Sequence, residues 1–144
     1  MPSDIVFKTM TAAHRVLLRL SGGRLGFEME KMPVLELTTV GRRSGKPRPV
    51  LLTAPARDGD ALVVVASRGG DDRHPDWFLN LRTDPRVEVA LQGAPPRAMT
   101  AHVASGEERA RLWEKITTNN PRYGSYQQRT EREIPVVLLR STES

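Results

Sequence analysis

The chain has 144 residues, 38 % hydrophobic and 27 % charged, and no cysteine. One domain with a buried core is the default at that size, while disulfides, thiol catalysis and Cys-ligated metals are excluded. The net charge of +5 is lopsided: residues 1–50 hold nine basic and four acidic side chains, and residues 51–144 hold thirteen of each.

Ser3 to Leu20 predicts an amphipathic helix, with Ile5, Val6, Met10, Ala13, Val16, Leu17 and Leu20 on one broad face, stopped by Ser21-Gly22-Gly23. Residues 1–32 are expected to form this helix and a linker, and residues 33–144 the main domain. Val34 to Val40 predicts a strand, Gly41 to Pro47 a basic loop, and Pro49 to Thr53 a second strand. Asp58-Gly59-Asp60 predicts a hairpin turn, because Asp-Gly supplies the positive φ that tight turns require. Leu62 to Ser67 is apolar on both faces and belongs in the middle of a sheet.

Asp76 to Leu81 predicts a short helix after Pro75. Val87, Val89 and Leu91 alternate with Glu88, Ala90 and Gln92, the pattern of a half-buried strand. Ala98 to Ala104 returns as another strand. Ser105 and Glu108 match a capping box that opens a helix to about Thr118. A short helix over Tyr123 to Arg129 and a last strand over Pro135 to Arg140 complete the inventory. About six mostly antiparallel strands with flanking helices predict a small α+β barrel.

No Gly-x-Gly-x-x-Gly follows a strand, and no Walker-type loop is present. His14, His74 and His102 are far apart, so no metal site is expected. No apolar run reaches the ~20 residues of a membrane span. The first 21 residues are too interrupted by charge for a signal peptide. The expectation is a cytoplasmic protein whose basic, amphipathic N-terminal helix can pack on the barrel, cap the pocket or touch the inner face of a membrane.

Three segments can carry chemistry. Thr38 to Arg48 places Arg42, Arg43, Lys46 and Arg48 in one loop with Ser44. Such a loop can wrap a phosphate or several carboxylates, or be a solvated hairpin. The charge excess of residues 1–50 suits an anionic partner of that kind. Next, Ala66-Ser67-Arg68-Gly69-Gly70 ends a strand in small residues, and Trp77 and Asn80 then share a helix face. They can seat a flat ring and bond its polar edge, or serve the core and cap a backbone group. Last, Tyr123 and Tyr126 stand one helical turn apart and can line a pocket with phenols or simply pack.

In order along the chain, T-T-x-G-R-x-S-G-x-x-R, D-G-D, A-S-x-G-G, P-x-W-F-x-N-L, E-E-R-x-x-x-W, Y-x-x-Y and R-T-x-R-x-I-P-V resemble the deazaflavin-dependent nitroreductases. These are actinobacterial quinone reductases that use coenzyme F-420. The resemblance spans roughly Val34 to Leu139. It implies a split β-barrel of flavin-reductase type that transfers a hydride from reduced coenzyme F-420 to quinone-like, nitroaromatic or enone acceptors. It further implies that Arg42, Arg43, Ser44, Lys46 and Arg48 hold the phosphate and oligoglutamate tail. Ala66, Ser67, Gly69 and Gly70 would line the ring and ribityl chain, with Trp77 and Asn80 behind them, and Tyr123 and Tyr126 would close the acceptor pocket. Two features depart from the family pattern: Asn120 stands where members often have a further Tyr, and Leu51 to Pro55 lacks their aromatic residue. The competing readings are a flavin-mononucleotide enzyme of the same barrel and a non-catalytic binder of a lipophilic ligand. Nucleic-acid binding is disfavoured, because only 5 % of residues are aromatic and the charge is local.

Overall fold

The computed structural model describes residues 28–29 and 32–142. The N-terminal helix expected over Ser3 to Leu20 lies outside these residues. The strands are β1 (Glu28–Met29), β2 (Met32–Val40), β3 (Pro47–Thr53), β4 (Ala56–Asp58), β5 (Ala61–Val65), β6 (Arg86–Leu91), β7 (Arg97–Val103) and β8 (Val136–Ser141). The helices are α1 (Asp76–Thr83), α2 (Gly106–Asn119) and α3 (Arg122–Gln128). All six expected strands form, and the short β1 and β4 are added at the margins. No described helix is long and apolar enough to cross a membrane.

Every strand pairing is antiparallel, in the order β1-β2-β6-β7-β8-β5-β4, with β3 also on β2. Each main strand sends alternate residues into one interior: Leu35 and Leu37, Val50, Leu62 and Val64, Val87 and Val89, Met99 and Ala101, Val137 and Leu139. Six strands can share one cluster only if the sheet curls onto itself. Trp77, Phe78 and Leu81 of α1 pack into the same interior.

The opposite faces of β5 and β8 are buried too. Ala61, Val63, Val136 and Leu138 pack under Leu112 and Ile116 of α2 and Tyr123 of α3. That is why these two strands are continuous apolar runs whereas β6, with Glu88 exposed between Val87 and Val89, alternates.

Three local expectations shift. The strand expected to reach Ser67 ends at Val65, because Ser67 opens a single 3-10 turn over Arg68–Gly70. The helix placed over Tyr123 to Arg129 begins and ends one residue earlier. The capping box does not form: Ser105 occupies the cap position of α2 without a side-chain bond. Glu108 turns instead to the His102 ring at 2.8 Å and to Arg140 at 3.6 Å, so partners on β7 and β8 take the carboxylate from the local cap.

Candidate functional site

One cavity of about 890 Å³ opens between the β2–β3 hairpin, the Ser67–Gly69 turn, the start of α1 and α3. Its floor is apolar, built from Met32, Val34, Val50, Leu51, Leu52 and Val65. Among the described residues five guanidinium side chains line it at the solvent edge: Arg42, Arg43, Arg68 and Arg122, all exposed, and half-buried Arg48. Among the described lining residues Asp76 is the one carboxylate.

The basic loop is held rigid by its own backbone. Gly41 N–H donates to the Lys46 carbonyl at 2.9 Å, and Gly45 N–H donates to the Gly41 carbonyl at 2.8 Å. Ser44 Oγ accepts from Lys46 N–H and from Arg48 Nη2, both at 3.2 Å. A side chain at Gly41 would disturb this arrangement, since its Cβ would lie 2.7 Å from Ser44 Oγ and force it to shift. The loop brings Arg42, Arg43, Ser44 and Arg48 to the cavity, whereas Lys46 stays off its wall.

Asn80, 3 % exposed, is the pin under this loop. Its Oδ1 accepts from Arg42 N–H at 3.2 Å and from Arg42 Nη1 at 2.8 Å. Its Nδ2 donates to Thr39 Oγ1 at 3.1 Å. Arg42 Nη2 also meets Asp76 Oδ1 at 3.3 Å. Asn80 reaches the cavity wall, but its polar atoms serve Thr39 and Arg42 and are not spread along the edge of a ring.

Of the small residues expected around the ring, Ser67 and Gly69 line the cavity. Ala66 is fully buried in the barrel core. Gly70 is buried behind the turn, where a Cβ would lie 2.8 Å from the Tyr126 carbonyl oxygen. Trp77 forms part of the wall while its ring meets Phe78 edge-on at 6.5 Å. It is at once core and lining.

Tyr123 and Tyr126 both face the cavity, with ring centroids 5.8 Å apart at 90°. Tyr123 is buried, and its hydroxyl lies 3.5 Å from Thr53 Oγ1 and 3.9 Å from Met32 Sδ. Tyr126 is half-buried, with the Arg129 guanidinium 5.8 Å over its ring. Among the described residues no group bonds the Tyr126 hydroxyl. Arg68, Arg122 and Thr53 also line the cavity, although the sequence motifs do not single them out. Arg68 stands beside the glycine pair and Arg122 beside Tyr123, and that adjacency is their only signal in the sequence. Among the described residues no group of three His, Asp or Glu is placed to hold a metal.

A barrel whose strands share one interior, with an open cavity at its margin, defines this molecule as a split barrel of flavin-reductase type. The model of the F-420H(2)-dependent quinone reductase family matches residues 10–141, and the chain belongs to that family of coenzyme F-420-dependent reductases. It is 42 % identical over 130 residues to an F-420H(2)-dependent quinone reductase of Mycobacterium tuberculosis, covering 88 % of this chain and 86 % of that one. A solved F-420-H2 dependent reductase, FDR-A, superposes with a TM-score of 0.65 at 36 % identity, over 74 % of this chain and 93 % of that chain. Another solved structure, described as a domain-swapped dimer, has a TM-score of 0.67 at 33 % identity and covers 96 % of this chain and 99 % of its own.

The residues present fit the coenzyme that this family uses. A rim of guanidinium groups matches a phosphodiester and a chain of carboxylates, since each such group can bond an oxyanion in bidentate fashion. The volume falls within the range of roughly 300–1,000 Å³ typical of cofactor sites.

Proposed function

We propose that this protein transfers a hydride from reduced coenzyme F-420 to a quinone-type acceptor inside the 890 Å³ cavity. The observation that carries this reading is the division of the cavity into a cationic rim and an apolar, tyrosine-bordered floor. A ligand with a polyanionic tail and a flat ring needs both.

In this reading Arg43, Arg48, Arg68 and Arg122 take the phosphate and oligoglutamate. Arg42, drawn onto Asn80 and Asp76, braces the loop that presents them. Ser67 and Gly69 let the ring pass close to the backbone, and Trp77 backs it. When bound, the reduced deazaflavin supplies the hydride. A quinone becomes a hydroquinone by gaining that hydride and one proton. Met32, Leu51 and Leu52 give the acceptor an apolar seat. Tyr126 O–H can donate a hydrogen bond to the acceptor oxygen where negative charge develops, while Tyr123, turned to Thr53, supports the wall. Nitroaromatic and enone acceptors present an equivalent oxygen and belong to the same proposal.

A flavin-mononucleotide enzyme is the second reading of the same barrel. That cofactor has a single phosphate, less anion than Arg43, Arg48, Arg68 and Arg122 together can hold. Titration with oxidised and reduced coenzyme F-420 beside flavin mononucleotide, followed by fluorescence, separates the two. Oxidation of the reduced coenzyme by a soluble quinone then separates an enzyme from a simple binder. Tight flavin-mononucleotide binding without coenzyme F-420 binding, or coenzyme binding without turnover, would overturn the proposal.

A further inference from the structure

The turn that forms one wall of the cavity is strained. Arg68, Gly69 and Gly70 have consecutive φ values of 46°, 65° and 86°. Left-handed backbone is disfavoured for a non-glycine residue such as Arg68 and persists only where the surroundings over-determine it. The turn therefore needs an external brace, and one side chain supplies most of it.

Arg132, in the segment between α3 and β8, spends nearly its whole guanidinium on this turn. Its Nε donates to the Asp71 carbonyl at 2.8 Å, its Nη2 to the Ser67 carbonyl at 2.9 Å, and its Nη1 to the Ala66 carbonyl at 3.2 Å. Nη1 also lies 3.1 Å from His74 Nδ1, just beyond the turn. An arginine can only donate, so His74 Nδ1 is the acceptor and its proton sits on Nε2.

The brace is fixed to α3. Gln127 Nε2 donates to the Arg132 carbonyl at 2.7 Å, and Gln127 Oε1 accepts from Ile134 N–H at 2.9 Å. Gln127 follows Tyr126 directly. Arg129 Nη1 adds a bond to the Gly69 carbonyl at 3.4 Å. One short path thus joins the Ser67–Gly69 wall to the helix that bears both tyrosines.

We infer that Arg132 is a positioning residue that sets the Ser67–Gly69 wall at a fixed distance from Tyr126, so that coenzyme ring and acceptor meet in one geometry. This rests on the coenzyme reading of the cavity. Arg132 touches no ligand in this role. It spares the protein the ordering of a loop at each binding event, which is how pre-organisation strengthens affinity.

Full-length Arg132→Gln and Arg132→Lys variants test the inference, read by amide hydrogen exchange, coenzyme F-420 titration and steady-state kinetics. In Arg132→Gln, exchange over residues 67–72 quickens while β5 and β8 keep wild-type protection. The coenzyme Kd rises by roughly tenfold, the acceptor KM moves by less than about twofold, and kcat falls. Arg132→Lys keeps the charge but reaches fewer carbonyls, so it gives the same pattern in smaller size. It decides the matter alone if the Gln variant does not fold. Wild-type exchange over residues 67–72 overturns the inference. So does faster exchange throughout the sheet with the coenzyme Kd unchanged, the mark of a merely structural arginine. If wild-type protein itself fails to bind the coenzyme, the functional reading falls, and the local exchange pattern still decides whether Arg132 holds the turn.

Discussion

Replacing Asn80 with Ala removes the pin beneath the basic loop, and its cost can be worked from three bonds. The bond from Arg42 Nη1, at 2.8 Å, is charge-assisted, while those involving Arg42 N–H and Thr39 Oγ1 are neutral. The Arg42 side chain is 26 % exposed and can recover water, so its share is discounted. Thr39 is 1 % exposed and cannot, so its hydroxyl is left without its partner. Net values of about 1 kcal/mol per neutral bond, with roughly 1–3 kcal/mol for a buried group left unpaired, place the loss at about 2–4 kcal/mol. For a chain of this size that lowers Tm by roughly 5–15 °C. Urea unfolding followed by tryptophan fluorescence measures it, and the coenzyme titration should show weaker binding because the Arg42 backbone loses its anchor. Asn80→Leu is the control. It fills the space but makes none of the bonds, so it should be nearly as damaging as Ala. If the Leu variant regains wild-type stability, lost volume and not lost hydrogen bonding was the cause. If Asn80→Ala costs less than about 0.5 kcal/mol, the pin does not exist.

Other perturbations reach different parts of the site. Arg48→Ala should weaken coenzyme binding and flatten its dependence on salt, because a cation at the rim is lost. Lys46→Ala, off the cavity wall, should do so much less, and equal effects in the two variants would mean the rim is misassigned. Tyr126→Phe keeps the ring and should lower turnover by less than about tenfold, since water can supply the proton; a fall of ~10²–10⁴ would make the hydroxyl the general acid. Tyr126→Ala should raise the acceptor KM and leave the coenzyme Kd unchanged. Burial, together with the charges of Arg132 and Arg82, holds His74 below the ordinary imidazole value of 6.5. Below about pH 6.5 the unfolded chain therefore binds a proton that the native state refuses. Stability falls as pH drops from there and levels off below the lowered native value. His74→Asn keeps an acceptor for Arg132 and should remove that slope. Thermal midpoints that differ between the two proteins by a constant amount from pH 7 to about 5 would show that His74 does not titrate this way.

Much of this protein is written in short-range patterns that survive without a tertiary context. Alternation in Val87–Leu91, the continuous apolar runs of β5 and β8, the Asp-Gly turn and the basic loop each depend on residues within a few positions of one another. They were sufficient for six strands, an α+β barrel and the three segments that meet at the cavity. The ordered motifs were sufficient for the family. What the sequence left open is which way a side chain turns once strands are paired. Asn80 reads as a ligand group or as a cap, and it became a pin because folding brought Arg42, 38 positions away, onto its oxygen. Glu108 had the spacing of a capping box and left it for His102 and Arg140. Lys46 looked like the other cations of its loop, yet only the bend of the β2–β3 hairpin turned Arg43 and Arg48 inward and left it outside. Arg132 stood in a motif without an evident task until the barrel closed and set it against carbonyls 61 to 66 positions earlier. Local periodicity determines which face of an element is buried. The partner a polar group finds there depends on contacts between distant parts of the chain, and only the closed barrel decided them.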